Sequence, residues 1–460
     1  MDVARESFMN REYDLTAAPI PQILRRLAVP VGIGFFFNTM FNVVDTLYAG
    51  LISTQALAAM SLSFPVFFLI IAVGSGIATG ATALIGHALG SDRRFEAKQY
   101  ATQAITFAAF HGLLMTAAGL VASPMLFRLL GASDEYLLLA LSYINAIFAG
   151  STCFILNQSL NASLNATGNT KCFRNFLVAG FFLNLGLDPW FLYGGFGLPA
   201  MGLPGIAWAT VVVQAVGNLY LALQVRKSGL MTGARPGDFL PRKQPFIDLA
   251  KQGFPASLNM LTVALGIFVI TWFLARFGRE AVAAYGIASR IEQIVLLPVM
   301  GLNVATLALV AQNNGAGLAA RVRETVRTAM TAGVSMMAAG GVAVYFVAER
   351  LMRFFTEDPA VIGIGAGYLH IASFVFGAYV ILYISVFALQ GLKRPLFAVG
   401  IGTFRQIVAP IPVFMVLANH LGMGITGIWW GIGIVTWSAA LISLGYVRSV
   451  LRGLPMKVVS

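Results

Sequence analysis

The chain is 460 residues long, 58% hydrophobic and only 10% charged, with a formal net charge of +12. A water-soluble domain of that composition would expose far more apolar surface than water tolerates. A soluble enzyme or binding module is therefore excluded, and the chain reads as a polytopic, all-α membrane protein.

The N-terminal segment MDVARESFMNREYDLTAAPIPQILRR has no apolar run and no small-residue cleavage site, so it reads as a tail, 1–27, rather than a removable signal. Twelve apolar spans follow, at 28–51, 55–89, 99–122, 136–165, 176–194, 204–225, 252–275, 281–311, 326–348, 360–390, 396–418 and 424–447. A hydrocarbon core of ~30 Å takes about 20 helical residues, which nearly all of these meet or exceed. Of the 30 Lys and Arg, 23 fall in the two tails and in the connections after even-numbered spans, and five fall on the opposite side. That asymmetry places both termini in the cytoplasm. It also assigns the positive charge to topology and anionic lipid rather than to nucleic acid.

The halves repeat. At an offset of 225, Pro30 meets Pro255, Gly76 meets Gly301 and Leu84 meets Leu309; at 223, Gly168 meets Gly391 and Pro189 meets Pro412. Six spans per repeat is an even number, so both halves enter the membrane in the same direction. The spans therefore group as two six-helix lobes, 28–225 and 252–447, related by a parallel pseudo-two-fold axis. A polar linker, 226–251, joins them, and 448–460 forms a second cytoplasmic tail.

Between Leu27 and Ser91 the one formal charge is Asp45. Asp188 and Glu292 are the other acids deep in spans. A carboxylate at such depth costs about 2.5–3.5 kcal/mol on insertion scales, which points to a function or a firm partner. Asn38, Asn42 and Asp45 share one face of the first helix; Asn157, Asn161 and Asn165 share one of the fourth, with Gln158 alongside; Asn184 stands one turn before Asp188 on the fifth. Such amides also serve as interhelical glue, worth about 0.6 kcal/mol each. Counting from the helix ends at ~1.5 Å per residue, Asp45, Asp188 and Thr210 fall at one level in the outer half of the bilayer. Two carboxylates in one poorly solvated pocket titrate as a coupled unit, able to take up a proton, or a Na+ held by carboxylate, amide and hydroxyl oxygens. The C-half has Ile270 and Ile411 at the repeat positions of Asp45 and Asp188, and its own polar residues are Glu292, Arg290 and Arg405. Arg290 and Glu292 are too close in sequence to face each other, so a structural Glu292–Arg405 pair is expected. Met40, Met60, Met260 and Met300 read as gap-filling packing residues, some of them alternatively as lining for an adaptable drug cavity. No HExxH, Walker A, GxSxG or CxxC motif occurs, Cys153 and Cys172 support neither a disulfide framework nor a metal site, and no cofactor is expected.

VVDTLYAG, GATALIGHALGSDRR, LNATGNTKCFRN, LNLGLDPWF and GLPGIAWATVVVQ, in this order and spacing, resemble the multidrug and toxic compound extrusion (MATE) family over residues 20–450. Within it the chain is similar to the DinF-like branch. That resemblance implies a MATE/MOP-type fold and a cation-coupling site at Asp45, Asn184, Asp188 and Thr210. It further implies an amide-lined substrate pocket at Asn38, Asn157, Gln158 and Asn161, beside Asn42, and a helix bend at Pro30. The implied activity is export of bulky, often cationic organic compounds in exchange for H+ or Na+, from a bacterial cytoplasmic membrane, as a monomer. The seventh and tenth spans lack the carboxylates of the NorM-like branch. Two other readings follow from the same residues: a flippase for a lipid-linked anionic precursor, expected to line its cleft with Arg and Lys, and an intramembrane enzyme using Asp45 and Asp188 as acid and base.

Overall fold

The computed structural model describes residues 14–132 and 134–455, so most of the N-terminal tail and the last five residues of the C-terminal tail lie outside the described residues. Its long helices are α1 (Ile20–Ile52), α2 (Thr54–Gly90), α3 (Arg94–Leu129), α4 (Asp134–Ala149, resuming as Ser151–Ala166), α5 (Lys171–Tyr193) and α6 (Leu203–Lys227). The second half holds α7 (Lys243–Leu274), α8 (Arg279–Gly315), α9 (Ala319–Arg353), α10 (Pro359–Gly391), α11 (Leu396–His420) and α12 (Gly424–Arg452). Each of the twelve expected spans falls on one of them, although several helices extend beyond the apolar span, by up to nine residues at one end.

The local causes are visible in the sequence. Ser53 caps α2 by accepting the Ala56 N–H at 3.0 Å, and Asp358 caps α10 by accepting those of Ala360 and Val361. The turn from α5 to α6 needs Gly194, Gly195, Gly197 and Gly202, whose φ values of 80°, 127°, 87° and 65° disfavour other residues. Helix α4 bends by 42° at Gly150, where a Cβ would lie 2.3 Å from the Val211 side chain of α6. Hydroxyls satisfy the backbone there: Thr116 donates to Phe148 O (2.8 Å) and Ser151 to Gly112 O (3.0 Å). Helix α11 is interrupted by two π-helical turns, Phe404–Val408 and Met415–His420.

Two compact units form. One is Ile33–Ser257; the other runs through Gly32 and resumes at Leu258. The chain thus changes unit inside α1 and inside α7, two residues after Pro30 and two after Pro255, at the offset of the sequence repeat. Inside the Ile33–Ser257 unit, α2 packs on the start of α7. A Cβ on Gly76 would lie 2.6 Å from Gly253 O and 2.8 Å from Ser257 N. Inside the other unit, α8 packs on the start of α1, and a Cβ on Gly301 would lie 2.3 Å from Ala28 O. These are equivalent repeat positions, so each half's second helix grips the first helix of the opposite half through a glycine.

The polar segment before α7 is fastened to α3. The buried Gln103 amide donates to Asp238 O and Leu240 O (both 2.8 Å) and accepts from Arg242 N (2.8 Å), while Thr106 donates to Phe239 O (2.7 Å). Asp238 accepts the Arg235 N–H and neighbours Lys98 and Arg242, which together hold its carboxyl below the ordinary value. In the other unit, Arg321 on α9 fastens the segment before α1 by donating to Ala18 O (2.6 Å) and Leu15 O (3.3 Å). Large apolar side chains such as Leu113, Val121, Leu129, Phe346 and Phe374 cover the outer faces, as suits contact with lipid.

Candidate coupling site

Within the Ile33–Ser257 unit, Asp45 of α1, Asn184 and Asp188 of α5 and Thr210 of α6 converge and are all buried, Asn184 and Asp188 completely. Asn184 Nδ2 donates to Asp188 Oδ1 at 2.8 Å. Thr210 Oγ1 lies 3.2 Å from Asp45 Oδ2 and 3.0 Å from Ile206 O, so its one proton is shared between them. The two carboxyl groups are near enough for the charge of one to act on the other. No donor reaches Asp45 Oδ1, Asp188 Oδ2 or Asn184 Oδ1, although all three are buried. None of the ion pairs among the described residues includes either aspartate.

This arrangement is incomplete as it stands, because two buried carboxylates without a counter-charge repel each other in a poorly polarisable medium. A proton on one of them removes the repulsion. The donor set of carboxylate, amide and hydroxyl oxygens also has the hard character that suits Na+. Asp45 and Thr210 line a narrow cleft together with Asn42, Met60, Ser63, Phe64, Phe67, Tyr143 and Ile147.

The amides divide. Asn42 lines the cleft and donates to Asn38 O (2.8 Å), whereas Asn38 lies on an exposed part of α1. Asn157 is committed to α6, donating to Gln214 Oε1 (2.6 Å) and Gln214 O (2.9 Å), which is the glue role. Asn161 is buried with Oδ1 unpartnered, and Gln158 packs beside Gly74, where a Cβ would sit 3.1 Å from its Cγ. Sequence reasoning did not single out Ser63, Phe64, Phe67, Tyr143 or Ile147 of this cleft. Tyr143, buried beside both aspartates, gave only the faint signal of a hydroxyl in an apolar run, while Met60 is among the methionines that read as gap-filling or as cavity lining.

A bundle of long apolar helices in two repeated halves, with a buried acid pair open to a cleft and free of fixed counter-charge, defines a membrane transporter of the MATE/MOP type. The MatE family model matches residues 30–190 and again 255–416, once per half, and the chain belongs to this family. Among similar proteins are the FAD transporter of Shewanella oneidensis (28% identical; 88% of this chain, 90% of that protein) and a probable multidrug resistance protein NorM of Thermotoga maritima (27%; 90% and 89%). The multidrug export protein MepA of Staphylococcus aureus is 24% identical over 94% of each chain. Solved structures share the fold: a MOP superfamily transporter from Pyrococcus furiosus has a TM-score of 0.90 at 24% identity, over 96% of this chain and 98% of that one. A multidrug resistance MATE transporter in an outward-facing conformation has a TM-score of 0.89 at the same identity and the same shares of both chains. The chain is thus a membrane transporter whose relatives include multidrug efflux proteins.

Proposed function

We propose that the chain is an efflux antiporter of the DinF-like branch, exporting bulky, often cationic organic compounds in exchange for H+, or Na+, by alternating access. It acts as a monomer in a bacterial cytoplasmic membrane, with both termini cytoplasmic. The observation that carries this reading is the Asp45–Asp188 pair: two buried carboxyl groups near enough to act on each other, with unpartnered oxygens and no fixed cation. Such a pair is stable with a cation on it and strained without one. Binding of the coupling ion and departure of an organic cation are therefore linked through the same charge. Asn184 and Thr210 orient the two carboxyl groups, and the aromatic, amide-bearing cleft suits organic cations.

The cleft lining contains no Lys or Arg, which disfavours a flippase for an anionic lipid-linked precursor. The same point bears on flavin dinucleotide, named for the Shewanella relative. The test is ethidium transport by the reconstituted protein under an imposed proton gradient and, separately, a sodium gradient. Ethidium should move with one of them and be outcompeted by tetraphenylphosphonium. No transport under either gradient, or competition by FAD in place of organic cations, would contradict the reading.

A further inference from the structure

The mechanism above leaves one deeply placed acid unused. Glu292, on α8 in the other unit, is buried, and the Tyr368 hydroxyl of α10 donates to its Oε2. Tyr379, three turns further along α10, lines the same small pocket as the carboxylate. The Glu292–Arg405 ion pair expected from the sequence does not form: no ion pair among the described residues joins them. The Arg405 guanidinium lies over the rings of Tyr379 (5.1 Å) and Tyr383 (5.8 Å), and its Nη1 is buried with no hydrogen-bond partner. A phenol therefore separates the two charges. The reason is local: Arg405 sits in the π-helical turn Phe404–Val408, which re-aims side chains on that helix and is a feature that recurs at functional sites.

We infer that Glu292 is a second proton-binding site, built into the C-terminal half and independent of the aspartate pair. Space and chemistry select the proton. The rings of Tyr285, Tyr368 and Trp429 pack against one another beside the carboxylate, with centroids 5.6, 6.0 and 5.0 Å apart. Rings in mutual contact leave no room for an organic ammonium group. The oxygens at hand are those of one carboxylate and two phenols, too few for a metal cation that needs six or so. A proton needs neither room nor a shell. Tyr368 can continue to donate to Oε2 while Oε1 takes up the proton.

The groups facing Glu292 are few. Tyr285 comes from its own helix, Tyr368 and Tyr379 from α10, Arg405 from α11, and the non-titrating Trp429 from α12; Arg290, two residues away, is exposed on another face. No charged side chain from α7 or α9 acts on it among the described residues. Arg405 is near enough to feel the charge but not to lock it, so the carboxyl is free to change state. If the antiport reading above holds, one proton shared by Asp45 and Asp188 and a second on Glu292 would enter for each monovalent cation leaving. One net charge then moves inward per cycle, and the membrane potential adds to the pH gradient.

The test is infrared difference spectroscopy of the full-length protein in lipid during a pH titration. A band from a buried, protonated carboxyl is expected to remain in the D45N/D188N double variant, which lacks the aspartate pair's own carboxyls, and should be lost when E292Q is added to that double variant. Persistence of the band in the D45N/D188N/E292Q triple variant, or its absence from the double variant, overturns the inference. Tyr368→Phe guards against misfolding of E292Q, since removing a donor should move the titration midpoint without removing the band; an unmoved midpoint also overturns it. In proteoliposomes, E292Q should lose the response of tetraphenylphosphonium transport to an imposed voltage, and a retained response overturns the proton count. If no variant and not even the wild type transports, the antiport reading fails while the infrared result still decides the site.

Discussion

Asp45→Asn is expected to lower gradient-driven efflux of ethidium to the level of protein-free liposomes while leaving expression and folding intact. The amide is isosteric with the carboxyl and can still accept from Thr210, so the packing of α1 against α6 survives. What disappears is the capacity to alternate between a charged and a protonated form, and with it the repulsion toward Asp188 that makes cation binding favourable. The substitution also removes a carboxylate that costs about 2.5–3.5 kcal/mol to bury, so the folded protein should be at least as stable as the wild type. A structural role would give the opposite pattern, with loss of stability alongside loss of transport. Undiminished, pH-driven efflux by this variant would count heavily against the site.

Gly301→Val is expected to damage the fold itself. A Cβ at this position would stand 2.3 Å from Ala28 O, 3.1 Å from Ala28 C and 3.2 Å from Gly32 N. These are backbone atoms of a helix and cannot rotate away as a side chain can. Overpacking of a well-filled core costs about 1–3 kcal/mol, and a clash with backbone belongs at or above the upper end. The predicted outcome is a lower midpoint in a thermal unfolding assay in detergent and a smaller fraction of monodisperse protein. Gly76→Val should behave in the same way, because Gly253 and Ser257 press on it as Ala28 and Gly32 press on Gly301. Wild-type thermal stability in both variants would show that the close approach is not needed to hold α1 and α7.

The twelve helices were legible because runs of more than about 20 apolar residues have few other folds available in a bilayer. Asp45, Asp188 and Thr210 were legible as a group for a related reason: straight helices with known entry sides convert residue counts into depth, and an acid in oil calls for a partner. The offset of 225 exposed the repeat, but not what its glycines touch. Hydropathy does not encode which helix a given face meets, so the passage of α1 and α7 from one unit to the other emerges only from packing. The bend at Gly150 was hidden for a similar reason, since its cause is the Val211 side chain on another helix. Glu292 and Arg405 were singled out but wrongly paired: the guanidinium lies in a π turn over the rings of Tyr379 and Tyr383. Asn157 donates to Gln214 on α6, the bonding expected of a membrane amide that joins two helices, while its buried Oδ1 has no partner.

The account turns on whether the aspartate pair gives up a proton when an organic cation arrives. Direct titration of tetraphenylphosphonium into the purified protein, in weakly buffered solution with a pH-sensitive dye, reports that exchange without any gradient or vesicle. The wild type should release protons as the cation binds, and the D45N/D188N double variant should release about one fewer per bound cation. Equal binding with undiminished proton release in the double variant would contradict the account.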